Sequence, residues 1–335
     1  MGKLSRFLVI GAGGIGGRHV VNLKLLKPKA TIAILGSPNS IRVAGTPASK
    51  ELWFSEIGDA IKFEPDAVII ASPANTHLEY ASSFARVGAH LFIEKPLALS
   101  TAGTNELIEQ CKQNQVVIMV GYNLRYSASL LYAKKLLDEN RIGNAISVRA
   151  EVGQYLPDWR PSKDYRHTVS AQKALGGGAL LELSHELDYI IWMFGMPQNV
   201  TARGGKYSDL DMDVEDTVEI IFESENQPMM ISIHLDLVQR NPVRYCRIAG
   251  ENGTLLWDGI NSTVNCYDAD SGDCESFSEH DWKEKNHMYM GELKHFLECV
   301  ETGIAPTHMA EDSVNVLRIV HAARQSIITH KTVIV

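Results

Sequence analysis

Long hydrophobic runs are missing from this chain of 335 residues. Stretches such as Ala67–Ala71 and Val116–Val120 fall far short of the roughly 18 apolar residues that cross a bilayer, so no helical membrane span is expected. Basic charge is also in deficit. The formal net charge is -8, and no segment gathers Lys and Arg densely enough to neutralise a row of phosphates, which excludes nucleic acid as an expected partner. Cysteine is scarce: Cys111, Cys246, Cys266, Cys274 and Cys299 are scattered, odd in number and without a CxxC pair. That argues against a disulfide framework and against a thiolate metal site, and no metal is expected. Repeats and low-complexity tracts are absent as well. Before Gly11 there is one short apolar run, Phe7–Ile10, without the h-region of a signal peptide, so a cytoplasmic location is expected.

What is present is an ordinary globular composition, 45% apolar and 21% charged, in a chain long enough for two cores. Residues 6–122 alternate short β-branched runs with amphipathic stretches of helix length. The runs Phe7–Ile10, Thr31–Leu35, Ala67–Ala71, Leu91–Ile93 and Val116–Val120 are near-continuously apolar, as strands covered on both faces must be. This predicts an α/β domain over 1–122, a Rossmann-type doubly wound parallel sheet. Beyond it the period changes to two, with Ile231, Ile233, Leu235 and Leu237 on one side and Ser232, His234 and Asp236 on the other. An α+β domain over 123–335, built on a large, mostly antiparallel open sheet, is the expectation. Asn261–Asn286 reads as hairpins and loops, and Ser313–Ile328 has helical spacing. With no linker between the halves, the functional site is expected in the crevice between them.

The segment Gly11-Ala-Gly13-Gly14-Ile15-Gly16 follows the first strand and opens a helix, the context that separates a dinucleotide fingerprint from a chance match. Gly11 allows the turn, Gly13 lets the backbone approach a pyrophosphate, and Gly16 lets helix and strand pack. Gly14 and Ile15 present the helix N-terminus to the phosphates. An acid that would bind the ribose 2'-OH is expected some 20 residues on. Here the second strand ends in Gly36-Ser37-Pro38-Asn39, with Arg42 following. Without a carboxylate to repel it a 2'-phosphate is tolerated, and Ser37 and Arg42 can bind one. NADP is favoured slightly over NAD.

Two later segments, Ser72-Pro73-Ala-Asn75-Thr-His77 and Glu94-Lys95-Pro96-Leu97, together with the glycine motif, resemble the glucose-fructose oxidoreductase / inositol dehydrogenase (Gfo/Idh/MocA) family. The resemblance implies a nicotinamide-dependent oxidoreductase acting on a sugar. Ser72, Pro73, Asn75, His77 and Glu94 would border the nucleotide, and Lys95 would lie beside the nicotinamide and the substrate hydroxyl. The chemistry agrees. Moving hydride from an alcohol carbon requires a group that takes the hydroxyl proton, and a lysine amine does so in its neutral form, which burial or a nearby cation favours. Gly121-Tyr-Asn123-Leu-Arg125 is similar to the family's connecting segment, which places Asn123 beside the cofactor and Arg125 at the substrate; a cap and a structural pair are the alternatives. The segment Gly176-Gly-Gly-Ala-Leu-Leu-Glu182-Leu-Ser-His185-Glu186-Leu-Asp188 resembles the family's GGGxLxDxGxHxxD but is one residue shorter. His185 is then the catalytic or substrate-binding histidine, with Asp188 one turn on able to hold its ring. Either Glu182 or Glu186 replaces the family's Asp, with Glu182 named as the catalytic acid.

Between these motifs lies Gly153-Gln-Tyr155-Leu-Pro-Asp-Trp159-Arg160-Pro-Ser-Lys163-Asp164-Tyr165-Arg166. Aromatic faces stack on sugars and arginine forks match carboxylate or phosphate oxygens. Tyr155, Trp159, Arg160, Tyr165 and Arg166 are therefore candidate substrate contacts, suited to an anionic or nucleotide-linked sugar; the alternative is a subunit interface. This segment resembles the family's surface-glycan sugar branch. The function expected is interconversion of a hydroxyl and a ketone on such a sugar by a homodimer or homotetramer. The alternatives are a redox-neutral lyase or glycosidase that recycles its nucleotide, and a non-catalytic nucleotide sensor.

Overall fold

The computed structural model describes residues 4–36, 51–224, 228–279 and 286–335. The chain forms two compact units, one made of Met1–Asn123 and Asn286–Val314, the other of Leu124–Lys285 and Asn315–Val335. The expected boundary lies after residue 122, with all of 123–335 in the second domain; the units divide after Asn123. The return of 286–314 to the first unit was not foreseen.

In the first unit six strands run parallel: β1 (Arg6–Ile10), β2 (Thr31–Leu35), β3 (Leu52–Phe54), β4 (Ala67–Ile70), β5 (His90–Glu94) and β6 (Ile118–Gly121). Their spatial order is β3-β2-β1-β4-β5-β6, the doubly wound parallel sheet. Helices α1 (Gly14–Leu26), α2 (Ile57–Lys62), α3 (His77–Ala85) and α4 (Thr104–Gln113) make the crossovers. Strand order reverses between β1 and β4, and ligands of such sheets bind beyond the carboxyl ends of strands at that reversal. Phe7, Leu8, Val9, Val68, Ile69 and Ile70 are buried on both faces, which is why these strands read as unbroken apolar runs. Strand β3, only three residues long and half exposed, gave no such signal.

The second unit begins with α5 (Ala128–Asp138) and β7 (Ala145–Gly153), then α6 (Ala179–Glu182) and α7 (His185–Phe194). Six of its strands follow in sequence: β8 (Asn199–Gly205), β9 (Thr217–Glu223), β10 (Met230–Asp236), β11 (Val243–Gly250), β12 (Gly253–Asp258) and β13 (Thr263–Asp268). After β14 (Cys274–Ser278) come α8 (Asn286–Thr302), which belongs to the first unit, α9 (Ala310–Thr329) and β15 (Val333–Ile334). The sheet order is β14-β13-β12-β11-β7-β10-β9-β8-β15. Within this sheet only β7 and β10 pair in parallel among the described strands. Ile231, Ile233 and Leu235 are fully buried on the face that α5, α6 and α7 cover, so the period-two pattern reports a one-sided sheet. Trp257 of β12 is buried there, donates its Nε1–H to Ser129 Oγ at 3.0 Å and meets Tyr189 edge to face at 5.4 Å. These contacts tie α5 and α7 to the sheet. Cys111 and Cys246 are buried, and burial pushes both thiols up, Cys111 to about 12, so neither is a reactive thiolate. Among the described residues no helix is long and apolar enough to cross a membrane.

Candidate functional site

In the first unit the glycine turn caps β1. Gly11 has φ +95°, and a Cβ there would lie 2.6 Å from the Ala71 carbonyl oxygen; one on Gly16 would lie 1.9 Å from the Gly11 oxygen. Both glycines are imposed by close backbone packing. Gly13 and Gly14 differ: they are exposed, and a Cβ on either would meet nothing within 4 Å. The first turn of α1 carries no acidic residue. An open cradle thus lies at a helix N-terminus whose N–H groups are available to an anion, and it fits a pyrophosphate. Ser37 and Arg42, the residues expected to choose between NAD and NADP, lie outside the described residues.

Across the strand reversal, β4 runs on through Ala71 into Ser72 and Pro73. Ser72 Oγ and Thr76 Oγ1 are 2.7 Å apart, and Asn75 and Pro73 are exposed on this turn. His77 does not face out with them. It is 1% exposed, with Nδ1 2.9 Å from the Pro96 carbonyl oxygen and Nε2 2.8 Å from that of Ser72. Burial holds its pKa below the usual histidine value, so the neutral ring donates from one nitrogen and braces the Ser72 turn against the Lys95–Pro96 turn. Its place is behind the residues expected to border the nucleotide. Lys95 is half buried at the end of β5, and the Lys95–Pro96 peptide is cis. Asn123 is buried and hydrogen-bonded to Tyr289 of α8.

Glu94 proves to be tied inward. Its Oε1 lies 2.6 Å from Nε2 of the fully buried His19 of α1. Glu292 of α8 is also fully buried, and single ligand atoms of His19, Glu94 and Glu292 all lie within 4.8 Å of one another. Sequence reasoning missed His19 and Glu292. A signal existed for the latter, a lone acid in the stripe Met288, Glu292, Leu293, Phe296.

In the second unit His185 opens α7, as expected, and is half buried. Asp188, expected to be able to hold its ring, lies one turn on and is engaged by Arg125. Its two oxygens take both arms of Arg125, from Nε and from the second guanidinium nitrogen, each at 2.8 Å, and both partners are buried. The Arg125 guanidinium also lies 5.2 Å from the centre of the Trp192 ring. Arg125 is thereby a structural partner of α7, the alternative weighed for it. Of the two acids in question, Glu186 is fully buried and paired with Arg244 at 2.9 Å, whereas Glu182 is half buried and accepts from Ser170 Oγ at 2.9 Å.

The aromatic-basic segment is divided. Arg166 is clamped onto Asp164, which it holds down at about 2, with contacts of 2.6–3.0 Å. Tyr155 is covered by the Arg240 guanidinium at 3.5 Å, and the Tyr165 hydroxyl accepts from Asp211 N–H at 2.9 Å. A hollow remains, bordered by Trp159, Arg160, Lys163, Tyr165, Thr168 and Ser170. Two cations and two aromatic rings around one depression suit an anion, although the depression itself, about 10 Å³, has room for little more than a water molecule.

Residues 5–122 match the family described as "Oxidoreductase family, NAD-binding Rossmann fold", and residues 130–256 match the "GFO/IDH/MocA C-terminal domain". Among characterised proteins the chain is similar to myo-inositol 2-dehydrogenase of Thermotoga maritima, 26% identical over 96% of each chain. Among solved structures it shares the fold of a levoglucosan dehydrogenase in complex with NADH, with a TM-score of 0.86, 21% identity and 99% of both chains covered. The WlbA dehydrogenase of Bordetella pertussis in complex with NADH and UDP-GlcNAcA gives a TM-score of 0.82, 20% identity and coverage of 99% and 98%.

Proposed function

The chain belongs to the Gfo/Idh/MocA oxidoreductase family, and from that premise we propose that it interconverts a hydroxyl and a ketone on an anionic or nucleotide-linked sugar with a nicotinamide nucleotide. The observation that carries this reading is the pairing, in one unit, of an open glycine cradle at the head of α1 with a lysine at the carboxyl end of β5. Gly11, Gly13, Gly14 and Ile15 would hold the pyrophosphate, with Ser72, Pro73, Asn75 and Asn123 along the rest of the nucleotide. The bound nucleotide supplies the acceptor or donor of hydride. Lys95 takes the hydroxyl proton during oxidation and returns it during reduction. His185 orients the hydroxyl that reacts or its neighbour, and Glu182, the half-buried one of the two acids, accepts a hydrogen bond from the sugar. Relatives named for inositol, levoglucosan and UDP-GlcNAcA support a polyol or sugar, the last of them an acidic nucleotide sugar.

Mass spectrometry of nucleotide and sugar carried through purification, followed by hydride-transfer assays on a panel of neutral, acidic and nucleotide-linked sugars, tests the proposal. Net reduction of nucleotide by one of them is the expected result. Turnover with no net change in nucleotide would replace it with a lyase or glycosidase. We further expect NADP to bind at least as well as NAD, and Ser37→Asp to tilt the protein toward NAD. Calorimetric titration with both nucleotides decides this, and a strong native preference for NAD would end it.

Arg160 and Lys163 are the exposed cations of the hollow. Arg160→Ala should raise KM for an acidic or nucleotide-linked sugar by one to two orders of magnitude, the ~1.5–3 kcal/mol of a charge-assisted hydrogen bond, without weakening nucleotide binding. Arg166→Ala should change KM less, because Asp164 already takes its fork. If Arg160→Ala leaves KM alone and shifts the oligomeric state in light scattering, the segment is an interface.

A further inference from the structure

Helix α8 packs on α1 and β5 and buries Met288, Leu293, Phe296 and Leu297 as an amphipathic helix should. Glu292 sits in the same stripe with no exposure, and neither carboxylate oxygen has a hydrogen-bond partner. Oε2 lies 3.5 Å from the place a Cβ on Gly121 would take, ordinary contact distance from β6. Nearby, His19 is fully buried, its Nε2 bonded to Glu94 and its Nδ1 without a partner. The charged and titratable groups facing Glu292 are Arg18 and His19 on α1, Glu94 on β5, and Tyr289 on α8 itself. Arg18 stacks on the Tyr289 ring at 4.2 Å. Phe92 and Phe296, which meet at 5.7 Å, supply an apolar wall.

A carboxylate without a partner in such a place cannot keep its charge, because the anion loses hydration and gains nothing. Burial, reinforced by the charge of Glu94 and opposed by Arg18, raises the Glu292 pKa well above the usual carboxyl value. The spacing favours a shared proton over a metal ion. His19 Nε2 and Glu94 Oε1 are 2.6 Å apart, a hydrogen bond, whereas two ligand atoms around a first-row divalent ion, each about 2.1 Å from it, stand roughly 3 Å apart.

We propose that Glu292 is a proton-bearing positioning residue: as a neutral acid it leaves Glu94 the one anion of the buried His19–Glu94–Glu292 cluster, and so holds the Glu94–Lys95–Pro96 turn in place. Its deprotonation sets a second anion behind Glu94, drives the two acids apart and moves the turn that carries Lys95. The consequence for catalysis rests on the function proposed above; the protonation state does not.

The experiment compares wild type with Glu292→Gln, a neutral isostere, by thermal melting from about pH 5 to about pH 9. A group whose pKa is raised by folding contributes stability that is full below its unfolded value and lost as pH rises through its folded value. The two proteins should therefore melt alike at the acidic end, with wild type falling progressively below Glu292→Gln as pH rises. In sugar turnover wild-type kcat should show an alkaline decline that Glu292→Gln lacks, with KM for nucleotide unaffected by pH in both. Parallel melting curves across the range overturn the proposal, and this readout needs no substrate. If Glu292→Gln does not fold, infrared spectra of wild type labelled at glutamate replace it, and the absence of a protonated-acid band near neutral pH is equally fatal. One tightly bound metal ion per chain, lost on chelation together with stability, also overturns it.

Discussion

Lys95→Met should fold, bind nicotinamide nucleotide as wild type does, and turn over at least about a hundredfold more slowly, the usual scale for a lost general acid/base. The side chains have similar length, so the apolar stem is retained and only the amine is lost. The turn itself should survive, because His77 braces it from Pro96 and His19 holds Glu94. Oxidation then releases the hydroxyl proton with no acceptor at the reacting atom, and reduction finds no donor there. The loss should fall on kcat, with the nucleotide dissociation constant unchanged, since on the proposed function the pyrophosphate would rest on the glycine cradle rather than on Lys95. Steady-state kinetics on the sugar that turns over and calorimetry on the nucleotide read the two quantities separately. Near-normal kcat in a folded Lys95→Met protein would end the proposed mechanism.

Asp188→Ala should destabilise the second unit by about 3–5 kcal/mol, because it takes the bidentate carboxylate away from a buried guanidinium. Arg125 and Asp188 have side-chain exposures of 7% and 1%, and two bonds of 2.8 Å join them. Removing one partner leaves the other charge desolvated. Replacing both, as Arg125→Met with Asp188→Leu, should recover much of the loss, because the desolvation of two charges disappears along with their attraction. Urea denaturation of the two single variants and the double variant measures this cycle. If Asp188→Ala costs under about 1 kcal/mol, the range of exposed pairs, the pair does not anchor α7, and the position of His185 needs another explanation. The same variant should also lower sugar turnover by loosening the helix that His185 opens.

The predictions for the two units rest on signals of unequal legibility. The glycine turn was readable because Gly16 must pass the Gly11 carbonyl a few positions back and Gly11 must adopt a positive φ, whereas the Ala71 contact at Gly11 is long-range. Lys95 was readable because Glu94 and Pro96 flank it in a recognisable motif. His77 was readable as a motif member but not in its orientation, for its two carbonyl partners belong to different loops, Ser72 and Pro96. Arg166 and Arg160 look equivalent in sequence; only the folded loop shows that Asp164 takes one of them.

By itself the sequence determined the alternation of strands and helices, the parallel and one-sided sheets, the glycine cradle, the family, and His185 at a helix start, since each is written in periodicity or in residues close along the chain. Tertiary structure alone decided which acid is committed to which base. Asp188 meets Arg125 across 63 positions, and Glu186 meets Arg244 across 58. It also decided that 286–314 joins the first unit and carries Glu292 to His19 and Glu94. The reason is physical. Hydrophobic periodicity records which face of an element is buried, but a buried charge is paired or neutral according to the one group that packing brings against it, and no local pattern encodes that group.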